Sequence, residues 1–335
     1  MLGWLKNLAK PGGEWRRTDL PEAELELLYQ DLLPLETLEP GLAGDVMTYV
    51  VTGQNAGVLN RAAAQPEAAR LLGLRCEKHS WHHRTPTERD AFFASTTITD
   101  PGFHLRLALA YEALLKPAEK RPVSPGIPAG AEWLEIYLWE ATRTPPNQWP
   151  LEPQETRLPS QSLESMLKLS GHPTTWLARA ALMTDPSRAK AAQKQTFAEL
   201  FLKVPEAASA FTAHPDTVRE CLANADHRGK AHIIDVLYRG GVSASLLPVE
   251  ASALAVSSSK QVREATSSWI LLTPDLLLPE LQKLAVQGTP EERVRAVKLL
   301  AQAGRDMMTP FLMERLSRDR AKTVVKMIET VLHRP

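Results

Sequence analysis

The chain reads as all-α: an N-terminal helical region followed by an α-α superhelix of stacked helix pairs. Three observations predict this. Pro248, Pro279 and Pro310 stand 31 residues apart, each followed by apolar helix spacing. Ala231, Val262, Val294 and Val325 follow one another at steps of 31, 32 and 31. A period of this length describes a helix pair that cannot bury its own apolar face and must stack on its neighbours. Within a unit, Leu277, Leu281 and Leu284 and then Val294, Val297 and Ala301 keep the three- and four-residue steps of a helix with one buried stripe, without the alternation a strand requires.

From the N-terminus, apolar spacing and proline or Asp-Pro starts predict helices over 21–33, 42–52, 55–73, 86–96 and 102–116. Pro117, Pro122, Pro125 and Pro128 then break the pattern before a tryptophan-rich helix at 131–142, and Pro145, Pro146, Pro150, Pro153 and Pro159 break it again. Helices resume at 174–184, 187–203 and 205–213. The expected organisation is an N-terminal helical domain over 1–120, a proline-rich connection over 121–160 carrying the one helix, and helical repeats over 161–335. In the repeats, Thr289, Pro290 and Glu292 form the pattern of a capping box, in which hydroxyl and carboxylate satisfy orphan amide groups, and Ser258 and Gln261 repeat the device. Gly240–Gly241, Gly288 and Gly304 fall where helices should stop, since glycine accepts the left-handed C-terminal conformation.

The segments Lys260-Gln261-Val262-Arg263-Glu264-Ala265 and Glu292-Arg293-Val294-Arg295-Ala296-Val297 resemble the Val-Arg-x-Ala opening of the second helix in HEAT-type repeats. The resemblance covers about 215–335 and implies a fold, not an activity. One departure is the aspartate often found just before that helix, where this chain has Ser257, Thr289 and Arg320.

Composition narrows the function classes. With 44% hydrophobic residues the 335-residue chain can bury a large core. Lys and Arg number 39 and Asp and Glu 39, so no global attraction to nucleic acid or anionic membrane follows. The distribution is less even: 18–60 contains Asp19, Glu22, Glu24, Glu26, Asp31, Glu36, Glu39 and Asp45 with no Lys or Arg, while 291–335 is basic. Cys76 and Cys221 are too few for a disulfide framework, and no run approaches the length of a membrane span or a secretion signal. The expectation is a cytoplasmic protein with free thiols.

Three groups of side chains are candidates for a site. Cys76, His79, His82 and His83 are soft or borderline ligands within eight residues, suited in type to zinc, but no second ligand cluster of matching spacing accompanies them; the alternative is a polar helix end beside Trp81. His232, Arg263, Arg295 and Lys326 each follow a repeat landmark by one residue and would form a cationic ladder, widened by Lys298 on the face of Arg295. Such a ladder suits an acidic peptide or phosphate backbone. Its alternative and commoner role is structural, with each side chain covering apolar neighbours and capping a carbonyl or carboxylate of the next repeat. Trp133, Tyr137 and Trp139 share one short helix and cannot all face one way, which points to one at an interface or groove; the alternative and commoner fate of large aromatics is core packing.

Nucleotide, hydrolase and metalloprotease motifs are absent from the sequence, and no cofactor is implied. The reading is a non-enzymatic scaffold or adaptor that binds a protein partner through the groove of the repeats. The competing reading is a nucleic-acid-binding repeat protein resembling the HEAT-like DNA glycosylases, which requires a strongly basic concave surface.

Overall fold

The computed structural model describes residues 20–74, 88–115, 127–142, 156–183, 196–271 and 274–333. Among these residues every regular element is helical, and no helix is long and apolar enough to cross a membrane. Contacts divide the described residues into two compact units, the first ending at Ala210 and the second beginning at Phe211. The tryptophan-rich helix and the three helices that follow it belong to the first unit.

The first unit contains α1 (Glu22–Leu32), α2 (Leu42–Thr52), α3 (Val58–Ala63), α4 (Ala68–Leu71), α5 (Glu88–Ser95), α6 (Pro101–Leu115), α7 (Glu132–Ala141), α8 (Ser160–Leu169), α9 (Thr175–Leu182) and α10 (Phe197–Phe201). The expected helix over 55–73 is two short ones, α3 and α4. Pro66 lacks an amide hydrogen and disfavours helical backbone at the residue before it, which separates them. The helix expected over 187–203 is described only from Thr196, whose capping box with Glu199 opens α10.

Helix α6 is the centre of this unit. Its residues Phe103, Leu107, Ala108, Tyr111 and Leu114 are buried around most of its circumference, as expected of a helix that is apolar all round. Helices α2, α3, α4, α7 and α8 all pack against it. Both ends of α2 are closed by side chains from outside the helix. Glu36 accepts from the backbone amides of Gly41 and Ala43 at the start. At the end, Arg106 of α6 donates to the carbonyls of Val50 (2.7 Å) and Val51 (3.1 Å). Anion at the amino end and cation at the carboxyl end both complement the helix dipole.

Helix α11 (Ala207–Thr212) spans the division. The second unit contains α12 (Pro215–Asn224), α13 (His227–Arg239), α14 (Pro248–Ala255), α15 (Lys260–Ile270), α16 (Leu278–Gln287), α17 (Pro290–Arg318) and α18 (Lys322–Leu332). Consecutive helices pair as α12 with α13, α14 with α15 and α16 with the first part of α17. Gly304 interrupts α17 with extended backbone (φ 176°), so residues 305–318 form a separate helical segment next to α18.

The repeat is visible in what these helices bury. Thr266, Val297 and Ile328 are buried 31 residues apart, as are Trp269, Leu300 and Val331. The landmarks Val294 and Val325 are only half-buried, because the true buried stripe lies three residues on from each. Pro248 is the first residue of α14 and Pro279 the second of α16, whereas Pro310 lies inside the segment after Gly304. The Thr289–Glu292 capping box is present. The cap of α15 is Ser259, one residue after the expected Ser258. Of the predicted stop glycines, Gly241 adopts the left-handed conformation (φ 73°), with the Val242 amide reaching back to the Leu237 carbonyl. Gly288 and Gly304 end their helices in extended backbone instead.

Candidate functional site

The polar groups of the first unit converge on Arg89. This side chain, on α5, has no solvent exposure. Its Nε and Nη2 donate to the two oxygens of Asp31 at 2.9 and 3.0 Å, a bidentate pair between α5 and α1. Nη1 donates to Glu140 of α7 at 2.7 Å, and Nη2 also donates to the Leu72 carbonyl at 3.0 Å. The guanidinium sits 5.0 Å from the centroid of the Tyr111 ring. Burial opposes the charge on Arg89, but Asp31 and Glu140 hold it cationic. The Tyr111 hydroxyl is pushed well above its ordinary pKa, chiefly by burial. One cation thus joins α1, α5, α6 and α7.

A second buried chain runs beside it. His104 accepts from the Tyr137 hydroxyl at Nδ1 (2.9 Å), and its Nε2 donates to the Ile98 carbonyl (2.7 Å). Tyr137 is buried, so its hydroxyl stays protonated and acts as the donor; this fixes the neutral tautomer of His104. Burial lowers the histidine pKa. Trp133, Tyr137 and Trp139 are all buried, with Trp139 donating to Glu135 along the same helix. The expectation that one of them lines a groove is replaced by packing on both sides of α7, since α5, α6 and α10 enclose it.

The acidic run over 18–60 is largely absorbed by the fold. Glu24 accepts from the hydroxyls of Thr96 and Thr97 and from the Thr97 amide. Burial alone would raise its pKa, but the bonds from Thr97 and Thr96 outweigh it and hold the carboxyl below the ordinary value. Asp31 holds Arg89, Glu36 caps α2, and Glu39 and Asp45 both pair with Arg61.

In the second unit, the central arginines of the expected ladder are bound to backbone. Arg263 donates to the carbonyls of Ser257 (2.7 Å) and Ser258 (2.8 Å). Arg295 reaches back from α17 to the carbonyls of Val256 (2.9 Å) and Ser257 (3.1 Å). Two guanidiniums therefore converge just past the C-terminus of α14. That geometry suits the negative end of a helix dipole. His232 is half-buried, and Lys298 and Lys326 are exposed. In the turn before α18, Asp319 accepts from Arg293 (3.1 Å), from Arg315 (2.8 Å) and from the Ala321 amide (2.9 Å).

The second unit also presents a shallow, open apolar depression, referred to below as the pocket. Ile270 and Leu271 supply it from the end of α15, Leu277 and Leu281 from α16 and the turn before it, and Leu299 and Gln302 from α17. It lies where the end of α15 approaches α16 and α17 without packing closely on either. Ile270, Leu277 and Leu281 form a buried floor, whereas Leu271 is 64% exposed and neighbouring Leu276 is 60% exposed. The sequence signal for this feature was limited to the apolar run Ile270-Leu271-Leu272, which reads equally well as interior.

Among the described residues no three His, Cys, Asp or Glu side chains assemble as a metal site. Cys76, His79, His82 and His83 lie outside the described residues, and Cys221 is buried. Arg89 and His104 were not singled out from the sequence. Their partners lie 51 and 58 residues away for Arg89 and 33 for His104, and no local spacing marks such pairs. Comparison with protein-family models, curated proteins and solved structures finds no match to this chain.

Proposed function

We propose that this protein is a scaffold or adaptor whose residues from about 215 onward form HEAT-like repeats and hold a protein partner on their surface. The observation that carries the reading is the apolar pocket between α15, α16 and α17, with Leu271 and Leu276 standing out in solvent beside it. Exposed aliphatic side chains around a concave apolar floor are the usual mark of a contact surface. The recurrence of buried positions at 31 residues and the pairing of successive helices support the repeat architecture.

The competing nucleic-acid reading needs cations that are free to meet phosphate. Arg263 and Arg295 instead satisfy carbonyls after α14, so the ladder keeps only Lys298 and Lys326 as exposed cations. Affinity capture of the intact protein from its native lysate, in nuclease-treated and untreated halves, tests the proposal. A defined protein retained after nuclease treatment is the expected outcome. Recovery dominated by nucleic acid and abolished by nuclease would overturn it.

A further inference from the structure

Lys298 is exposed and makes no ion pair with another described residue. It precedes Gln302 by four positions on α17, so the two share a face and stand one helical turn, about 6 Å, apart along the axis. Gln302 and Leu299 line the apolar pocket. The other cation on this face, Arg295, is held by the Val256 and Ser257 carbonyls and by Glu291. Among the described residues of this face, Lys298 is thus an unpaired positive charge one turn from Gln302, at the edge of a pocket with a buried aliphatic floor and the exposed Leu271 as its wall.

Resting on the scaffold reading above, we propose that this pocket binds a linear segment of the partner that carries a large aliphatic or aromatic residue with a carboxylate beside it. The apolar residue covers Ile270, Leu277 and Leu281 and packs against Leu271. The carboxylate meets Lys298, with Gln302 between them as a donor and acceptor for the segment's backbone. Charge complementarity selects the acidic partner: Lys298 attracts a carboxylate and repels a basic segment, and the surrounding 291–335 carries more basic than acidic side chains.

The test is selection of a displayed random dodecapeptide library on the full-length chain, followed by titration of labelled selected peptides. The expected peptides share one large apolar residue with Asp or Glu close to it in sequence. Leu271→Asp should weaken them roughly tenfold, through loss of apolar burial at a position exposed enough to leave the fold intact. Lys298→Glu should weaken them roughly fivefold, and peptides with the acid changed to Lys should recover on that variant. Selected peptides that bind both variants as well as the natural chain would overturn this inference while leaving the scaffold reading in place. Failure to select any peptide would overturn it too, and the lysate capture would still decide the broader reading. Conversion of a dimer to a monomer by Leu271→Asp, seen by sedimentation, would assign the pocket to a contact between copies and likewise overturn it.

Discussion

Arg89 shows how one residue sets the energetics of its surroundings. Its guanidinium is wholly buried and shared by Asp31 and Glu140, so removing it leaves two buried carboxylates without their cation. Arg89→Met is expected to cost about 3–5 kcal/mol of stability in urea denaturation, the usual penalty for breaking a buried ion pair from one side. Arg61→Ala, which breaks the largely solvated pairs with Glu39 and Asp45, should leave the same denaturation midpoint almost unmoved. Comparable losses for the two would contradict the account of the Arg89 centre.

His104 carries the pH dependence. Its folded-state pKa is depressed by burial, so near and below its ordinary value of about 6.5 the unfolded chain binds a proton that the folded chain does not. The stability it contributes is present above that pH and is lost as pH falls through the folded value. Denaturation midpoints measured at pH 7.5 and 5.5 should therefore drop on acidification, and His104→Gln should shrink the drop. An unchanged pH dependence in that variant would show that His104 does not titrate on unfolding.

Helix ends explain most of the arrangement at the next scale. Arg106, sent from a later helix, closes α2, and Arg263 with Arg295 satisfies the carbonyls of Val256, Ser257 and Ser258 in the turn that follows α14. These bonds tie helix pairs together while satisfying groups that a helix cannot satisfy itself. The double variant Arg263→Gln, Arg295→Gln should lose about 2 kcal/mol and show faster amide exchange at the end of α14. Partner capture should be unchanged, because these guanidiniums face carbonyls. Loss of capture without loss of stability would restore them as a binding ladder. Thr289→Ala, which removes the capping box of α17, should cost about 1 kcal/mol.

For the whole molecule, equal numbers of basic and acidic residues give a formal net charge of zero near neutrality and a calculated isoelectric point of about 7.1. Solubility against a neutral precipitant should pass through a minimum near pH 7 and rise on either side. A monotonic profile across pH 5–9 would contradict this. Each of the two compact units has its own buried core, with α6 at the centre of the first and the 31-residue stripes through the second. Tryptophan burial follows that division: Trp133 lies in the first core, and Trp269 in the second donates to the Val242 carbonyl at 2.7 Å.

Local pattern alone determined the all-helical character, the positions of most described helices, the 31-residue period and the capping box at Thr289. Each depends on residues within about one helical turn of one another or on a regular repeat, so spacing exposes it. It did not determine where the first unit ends, because the proline-rich stretches punctuate the chain without saying which later helices return to the earlier core. Nor did it reveal the Arg89 centre, the backbone duties of Arg263 and Arg295, or the pocket beside Leu271. Those are decided by which distant helices meet and which scarcely touch, and only the packed chain brings such groups within bonding distance or leaves a gap between them.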